Sequence, residues 1–468
     1  MATYTTPGVY IEEVSLLPAS VAPVATAIPA FIGRTQIALD GQKKAITKPF
    51  RITSMPEYVR FFGEGASENA VLSVAITDDG TDVATAVRTI TVTEDNTKVS
   101  GKYMYYALQM YFANGGGPCY IVTIGDYNDG GGFDFDTAVS NAIKSLEKQD
   151  EPTILVFTDK PATNYKVAYD AALAQAQKLK DRVVLMDIWG ETGNSFNDAK
   201  TFRDNHVSAN NLSYGMCYYP FLQTTLKYTV DESTLTVTHT KAHSGTSYNG
   251  NTLAAIKTAN PNLYSQLIAK IKEKTITVPP TPAIAGIYAR VDNQRGVWKA
   301  PANESVLSIV GPTIKVTAEE QGVLNVDATS GKSINVVRTF TGKGTLVWGA
   351  RTLAGNDNEW RYVNVRRFYN FAEESIKKAS EFVVFEPNDA NTWVRVKTMI
   401  ENFLTTLWRQ GALQGAVPAD AFFVNVGLGV TMTSLDILEG RLNIEIGMAV
   451  VRPAEFIILK FSHLLQKS

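Results

Sequence analysis

TILVFTDKPATNYKVAYDAALAQAQKLKDRVVLMDI, residues Thr153 to Ile188, decides the fold of this 468-residue chain. Ile154 to Phe157 is a short, wholly apolar run; Tyr165 to Leu179 is rich in alanine with helical spacing; Val183 to Ile188 is apolar again. Two apolar runs flanking such a helix specify a βαβ unit, whose parallel strands are buried on both faces. Tyr214 to Phe221 repeats the strand texture. Upstream, a helix over Tyr103 to Ala113 stops at Asn114-Gly115-Gly116-Gly117-Pro118, and Cys119 to Ile124 follows as a buried strand. The fold class expected is α/β and α+β, divided among several domains, because the length exceeds what one core serves.

Composition narrows the function. Forty-four basic and 46 acidic side chains leave a net charge of −2, which removes bulk electrostatic attraction to nucleic acid or anionic lipid. Two cysteines, Cys119 and Cys217, are too few for a disulfide framework or a four-thiolate zinc site, and both lie in apolar stretches that suit buried, reduced thiols. Met1 to Tyr10 has neither the basic start nor the apolar run of a signal peptide. Val21 to Gly33, the most apolar early stretch, contains Pro23 and Pro29 and is shorter than the ~20 residues of a membrane span. Synthesis in the cytoplasm, without a signal peptide or direct membrane insertion, is the expectation.

Outside the βαβ unit the texture varies. Ser54 to Phe62 resembles a short helix start with Pro56 early, and Ala70 to Val99 alternates like an exposed strand pair. Leu222 to Pro282 is rich in Thr, Ser, Asn, Tyr and Lys and reads as a peripheral insertion, a strand pair plus a helix over Asn262 to Lys274. Toward the C-terminus, Trp393, Val396, Met399, Ile400, Phe403, Leu404, Leu407 and Trp408 mark one face of a helix over Asn391 to Arg409, capped by Asn391 and ended by Gly411. Val365 to Ala379 is a second amphipathic helix, with Glu373/Lys377 and Glu374/Lys378 as i,i+4 pairs on its exposed side. Leu442, Ile444, Ile446, Met448 and Val450 alternate as a half-buried strand does. Glu455 to Phe461 reads as one more apolar strand.

Motifs for chemistry fail on inspection. Gly331-Lys332-Ser333 lacks the earlier glycine of a phosphate loop, since Val326 stands there, and strand follows instead of helix. His239 and His243 have zinc-helix spacing, but Thr240 replaces the general-base glutamate; on a strand the rings lie about 13 Å apart, so a solvated pair is expected. The clusters Gly115 to Gly117 and Gly130 to Gly132 read as turns, and no G-x-S-x-G elbow occurs. No catalytic, cofactor or metal residues are assigned. What stands out is that both ends carry strand-like segments set off by Pro18 and Pro453. An unpaired terminal strand is a hazard in a monomer and an assembly device when donated to a neighbour's sheet. The alternative is that both fold back on their own domain.

Several stretches carry a family resemblance. PGVYIEE (Pro7 to Glu13), TAIPAFIGR (Thr26 to Arg34), NGGGPCYIV (Asn114 to Val122) and AGIYARVDNQRGVWKAPAN (Ala285 to Asn303) are followed by denser motifs from Gly342. These are GKGTLVWGARTLAG, EWRYVNVRRFYNFAEESI, FVVFEPND, FLTTLWRQGALQGAVPADAFFV and TMTSLDILEGRLNIEIGMAVVRPAEFIILKF. Together they resemble contractile tail sheath proteins of phages and phage-tail-like injection systems. The resemblance implies an inner α+β domain built from the N-terminal arm and the C-terminal third, and an outer α/β domain carrying insertions. The corresponding domains are 1–25 (arm), 26–340 (outer, with insertions near 64–100 and 223–282), 341–452 (inner) and 453–468 (arm).

It further implies a structural subunit without cofactor, polymerising helically with its own copies around an inner tube, and meeting baseplate and terminal cap proteins in a phage tail or tail-like particle. Val9, Tyr10 and Ile11, with Phe456, Ile457, Ile458 and Leu459, would be the exchanged arm strands. Leu442, Ile444, Ile446, Met448 and Val450 would form the receiving sheet; Glu373, Glu374, Lys377, Lys378, Arg395 and Lys397 would face the tube. Two alternatives stay open: an enzyme using the βαβ unit for a small molecule, and another tail-associated structural protein such as an adhesin.

Overall fold

The structure, a computed structural model, describes residues 21–128, 133–161, 163 and 165–460. Val9, Tyr10 and Ile11 therefore lie outside the described residues. The chain divides into two units: residues 25–371 with 452–468, and residues 1–24 with 372–451.

Among the described residues the larger unit is organised by a nine-stranded sheet. Six of its strands are parallel: Pro29–Thr35, Cys119–Asp126, Ile154–Phe157, Val183–Asp187, Gly215–Tyr219 and Ile334–Phe340. Numbered along the chain they lie in the order 2-1-3-4-5-6, a doubly wound arrangement. Phe50–Ile52 closes one edge antiparallel, and Gly344–Val347 with Glu304–Ser305 closes the other. Every residue of Ile154–Phe157, Val183–Asp187 and Gly215–Tyr219 is buried, as strands covered by helices on both faces must be. Helices Phe135–Leu146 and Lys166–Leu179 pack together, as do Met104–Ala113 and Thr281–Arg295. The second pair depends on Gly286, where a Cβ would sit 2.4 Å from the Tyr111 carbonyl oxygen.

The βαβ unit, the helix Met55–Phe62 and the strand pair Leu72–Asp79/Val87–Glu94 occur where the sequence places them. The insertion over 222–282 differs from its expected form. Its strands Leu222–Lys227 and Val237–Lys241 do not pair with each other. Val237–Lys241 joins Leu72–Asp79 in parallel, making one three-stranded sheet from both insertions. Leu222–Lys227 sits between Thr275–Val278 and Ile309–Pro312 in another. Local alternation identifies strands but not partners far along the chain. The helix expected over 262–274 runs Pro261–Ile271, capped by Asn260 and started by Pro261, and a second helix, Leu253–Ala259, precedes it. Residues 341–371 group with this larger unit, since Gly344–Val347 is bonded into the main sheet.

In the smaller unit the helix Ala390–Arg409 buries Val396, Met399, Ile400, Phe403, Leu404 and Leu407 on the expected face. Its cap is Asp389, whose carboxylate accepts from Thr392 N–H at 3.0 Å, rather than Asn391. That helix packs on Phe422–Val426, which pairs antiparallel with Ile444–Met448. Among the described residues this sheet has two strands. Leu442 precedes it, and Val450 follows as a bridge to Leu413.

Candidate functional site

Open α/β sheets hold small molecules beyond the carboxyl ends of their strands, at the point where strand order reverses. Here that point lies after Pro29–Thr35 and Ile154–Phe157, and the chain's own groups fill it. Asp159, fully buried, accepts from Arg34 Nε at 2.6 Å and from Arg34 N–H at 3.2 Å. Burial raises its carboxyl to about 6, against the pull of Arg34. Lys102 bridges to Asp159 through the backbone, and a Cβ on Gly33 would stand 2.1 Å from Thr158 Oγ1. Lys332, the one lysine of the rejected phosphate loop, is buried and donates to the carbonyls of Arg203 and Val207. It braces two segments of backbone.

The histidine pair is not solvated, contrary to expectation. Both rings are buried, and both Nε2 atoms reach Asp78 Oδ2, at 3.1 Å from His239 and 3.0 Å from His243. The strand ends at Lys241 and the chain bends through 242–245, which folds His243 back instead of extending it 13 Å away. Arg88 completes the cluster with two 2.7 Å bonds to the Asp78 carboxylate, and these hold it far below the usual carboxylate range. Each Nδ1 accepts a backbone N–H, from Tyr248 at 3.1 Å and Gly245 at 3.0 Å. The Nε2 atoms therefore carry the protons, and a metal would have to displace them while Nδ1 faces donors. The cluster ties together strands from the two insertions.

The assembly candidates fall in both units. In the larger one, Phe456, Ile457, Ile458 and Leu459 belong to no helix or strand of this chain and are 70–80% exposed. The strand expected over Glu455 to Phe461 is thus absent from 455–460, for a ladder needs a partner; Phe461 lies outside the described residues. In the smaller unit, Ile444, Ile446 and Met448 are half-buried along their strand, Leu442 is half-buried before it, and Val450 is buried.

Of the charged candidates, Glu373, Lys377, Lys378 and Arg395 are exposed, and Lys397 is partly so. Glu374 departs from expectation. Its helix, Val363–Ala379, buries Ala372, Ser375 and Ile376, and Glu374 is buried beside them, with Lys377 at 3.1 Å and Lys378 at 3.3 Å covering it. Arg395 lies 5.6 Å over the Phe382 ring, and Lys397 is 3.8 Å from Glu401.

Comparison with known proteins decides the family. Residues 166–353 match the phage tail sheath central domain, and residues 355–462 the phage tail sheath C-terminal domain. The PVC sheath complex of an extracellular contractile injection system, in its contracted state, is 31% identical; the match covers 99% of this chain and 98% of that one, with a TM-score of 0.64. The chain belongs to the contractile tail sheath family.

The contracted helical sheath of the anti-feeding prophage is also 31% identical, at a TM-score of 0.64, over 98% of this sheath chain and 99% of its counterpart. The tail sheath protein of Vibrio phage KVP40 is 28% identical over 150 residues, 32% of this chain and 22% of that protein. That of Enterobacteria phage T4 is 29% identical over 130 residues, 27% and 19% respectively. The match thus spans about a fifth of these two curated relatives. Relatives of this kind are structural sheath proteins. No described helix is long and apolar enough to cross a membrane.

The Asp78 cluster and the filled sheet crevice escaped sequence reading, because their members come together only through the fold. The one signal in the sequence is phase, since Asp78 falls in step with Leu72, Val74 and Ile76 along its alternating strand.

Proposed function

We propose that this chain is the sheath subunit of a contractile injection particle. Copies stack as a helix around an inner tube, wait in a metastable extended state, and contract to drive the tube through a target envelope. Energy is stored at assembly and released through a kinetic barrier, without nucleotide hydrolysis. The observation that carries this reading is near-complete coverage, 99% of this chain, by a sheath whose structure is a contracted assembly.

Within that scheme the segments around Val9 to Ile11 and Phe456 to Leu459 are arms that add strands to the sheet of a neighbour containing Ile444–Met448. Two features support it: four consecutive large apolar side chains exposed on one segment, and a two-stranded sheet among the described residues. Isolated two-stranded sheets are marginal in water, and exposed apolar runs mark interaction surfaces. The inner domain, in this reading, combines the N-terminal arm with the C-terminal third, and the insertions face outward. Glu373, Lys377, Lys378, Arg395 and Lys397 are its tube-facing charges, with Glu374 holding the two helix lysines in place. Baseplate and cap proteins bound the two ends of the polymer.

Negative-stain microscopy of the concentrated, purified chain tests the proposal. Hollow, ridged cylinders are expected; a monodisperse monomer under all polymerising conditions, with the inner tube protein present, contradicts it.

A further inference from the structure

The exposed segment has a fixed root. Glu455, immediately before Phe456, is bound by side chains from three places in the larger unit. Its Oε1 accepts from Arg351 Nε at 2.8 Å and from Asn325 Nδ2 at 2.7 Å. Its Oε2 accepts from Arg351 Nη2 at 2.7 Å and from the Tyr362 hydroxyl at 3.0 Å. Asn325 ends the helix Ala318–Asn325, and Tyr362 directly precedes the helix Val363–Ala379.

Arg351 is the centre of this clasp. Its side chain is 4% exposed, and Glu455 is the carboxylate that meets it. Its backbone N–H donates to Asn335 Oδ1 at 2.7 Å, while Asn335 Nδ2 donates to the Arg351 carbonyl at 2.7 Å and to that of Cys217 at 3.1 Å. Asn335 and Cys217 lie on adjacent parallel strands of the main sheet. A pull on the segment is therefore delivered through one bidentate ion pair to the middle of the larger unit. Removing the carboxylate leaves a buried guanidinium without a counter-charge, the costly way to break an ion pair. Burial alone would raise the Glu455 carboxyl, but the bonds from Arg351 and Asn325 outweigh it and hold it below the ordinary glutamate value.

The change across one peptide bond is abrupt. Glu455 is saturated with donors, whereas Phe456 is 70% exposed and Ile457 79%. We propose that Glu455 is the positioning residue of the C-terminal arm: its clasp on Arg351 pins the arm's root to the donating subunit, so that strand exchange with a second copy begins at Phe456. This rests on the arm reading given above. The clasp sets the reach of the arm and keeps donor and acceptor connected while subunits rearrange.

The test uses the 468-residue chain with a nitroxide at Ala454→Cys, an exposed position; both native cysteines are buried, which shields them from the label. Three proteins are compared: the labelled parent, Glu455→Gln, and a deletion of residues 456–468. Hydrogen bonds to charged groups convert to roughly a ten- to hundredfold change, so Glu455→Gln is expected to raise the critical concentration for polymerisation by at least about tenfold. It is also expected to sharpen the nitroxide spectrum of the unassembled subunit. The deletion is expected to abolish polymers while the label stays immobile. Parental polymerisation of Glu455→Gln with an immobile label overturns the clasp. Normal polymers from the deletion overturn the arm reading instead, and the two failures are distinct. If Glu455→Gln does not fold, Tyr362→Phe removes one bond outside the ion pair. It must then shift both readouts in the same direction by a smaller amount, and an unshifted pair of readouts overturns the proposal.

Discussion

Val183–Asp187 and Ile444–Met448 are both five-residue strands, yet they live in different environments. The first is buried at every position, flanked by parallel strands and covered by helices. The second has no buried position, with Glu445 exposed and the other four residues half-buried, in a sheet of two strands among the described residues. One unit completes its own core within a single chain. In the proposed scheme the other presents a sheet that gains burial when strands of further copies arrive. That scheme separates stability from assembly, so substitutions in the two units should have different signatures.

The largest expected effect is in the self-sufficient unit. Leu155→Ala, at a fully buried position, should cost about 2–5 kcal/mol and lower the melting temperature of the isolated subunit. Ile446→Ala should cost the isolated subunit under about 2 kcal/mol while impairing polymerisation more than Leu155→Ala does at matched stability. Melting curves read beside sedimentation of polymers check this, and an equal loss in both assays for both variants would break the comparison.

Next is Asp78→Asn. It leaves Arg88, His239 and His243 around a neutral group and should destabilise the insertion sheet by about 2 kcal/mol. Hydrogen exchange should accelerate in Val237–Lys241 and leave Ala390–Arg409 unchanged. Faster exchange in both would mean that the units are not separable in this way.

A pH dependence sharpens the contrast further. Burial raises Asp187 to about 7, with Thr281 donating both N–H and Oγ1–H to it and Glu191 adding like charge. Unfolded, the carboxyl titrates near its ordinary value of about 3.9. Between these values the folded chain binds more protons than the unfolded one, so this group's contribution to stability is present below about pH 4 and is lost as pH rises toward 7. Asp187→Asn should flatten the stability profile there by up to about 1.4 kcal/mol per pH unit. Chemical denaturation at pH 4.5 to 7.5, a range of about three units, reads it out; an unchanged slope contradicts the assignment.

The smallest expected change is Lys397→Ala. Its 3.8 Å contact with Glu401 is exposed and contributes about 0.5 kcal/mol or less. The subunit should melt as the parent does. Weaker retention of inner tube protein by assembled sheaths would support a tube-facing position, and full retention would remove Lys397 from that surface.

How legible these features are depends on how local their physics is. The βαβ unit follows from the apolar runs at 154–157 and 183–187 and the helix between them, because propensity and burial agree over a short span. The face of Ala390–Arg409 is equally local, since its period is set within the helix. His243 is different, for a bend at 242–245 reverses the consequence of strand spacing. The clasp between Arg351 and Glu455 joins positions 104 apart and leaves no trace in either local pattern. Glu374 shows the intermediate case: its lysine partner at i+4 is readable, but which side of the helix is covered is not.

The most direct test of the central claim is to delete residues 456–468 and image the product beside the full-length chain. The deletion is expected to give a soluble subunit with the parental melting profile and no cylinders, while the full-length protein forms them. Normal cylinders from the deleted chain would contradict the account, because the shared part would then not be shared through this arm.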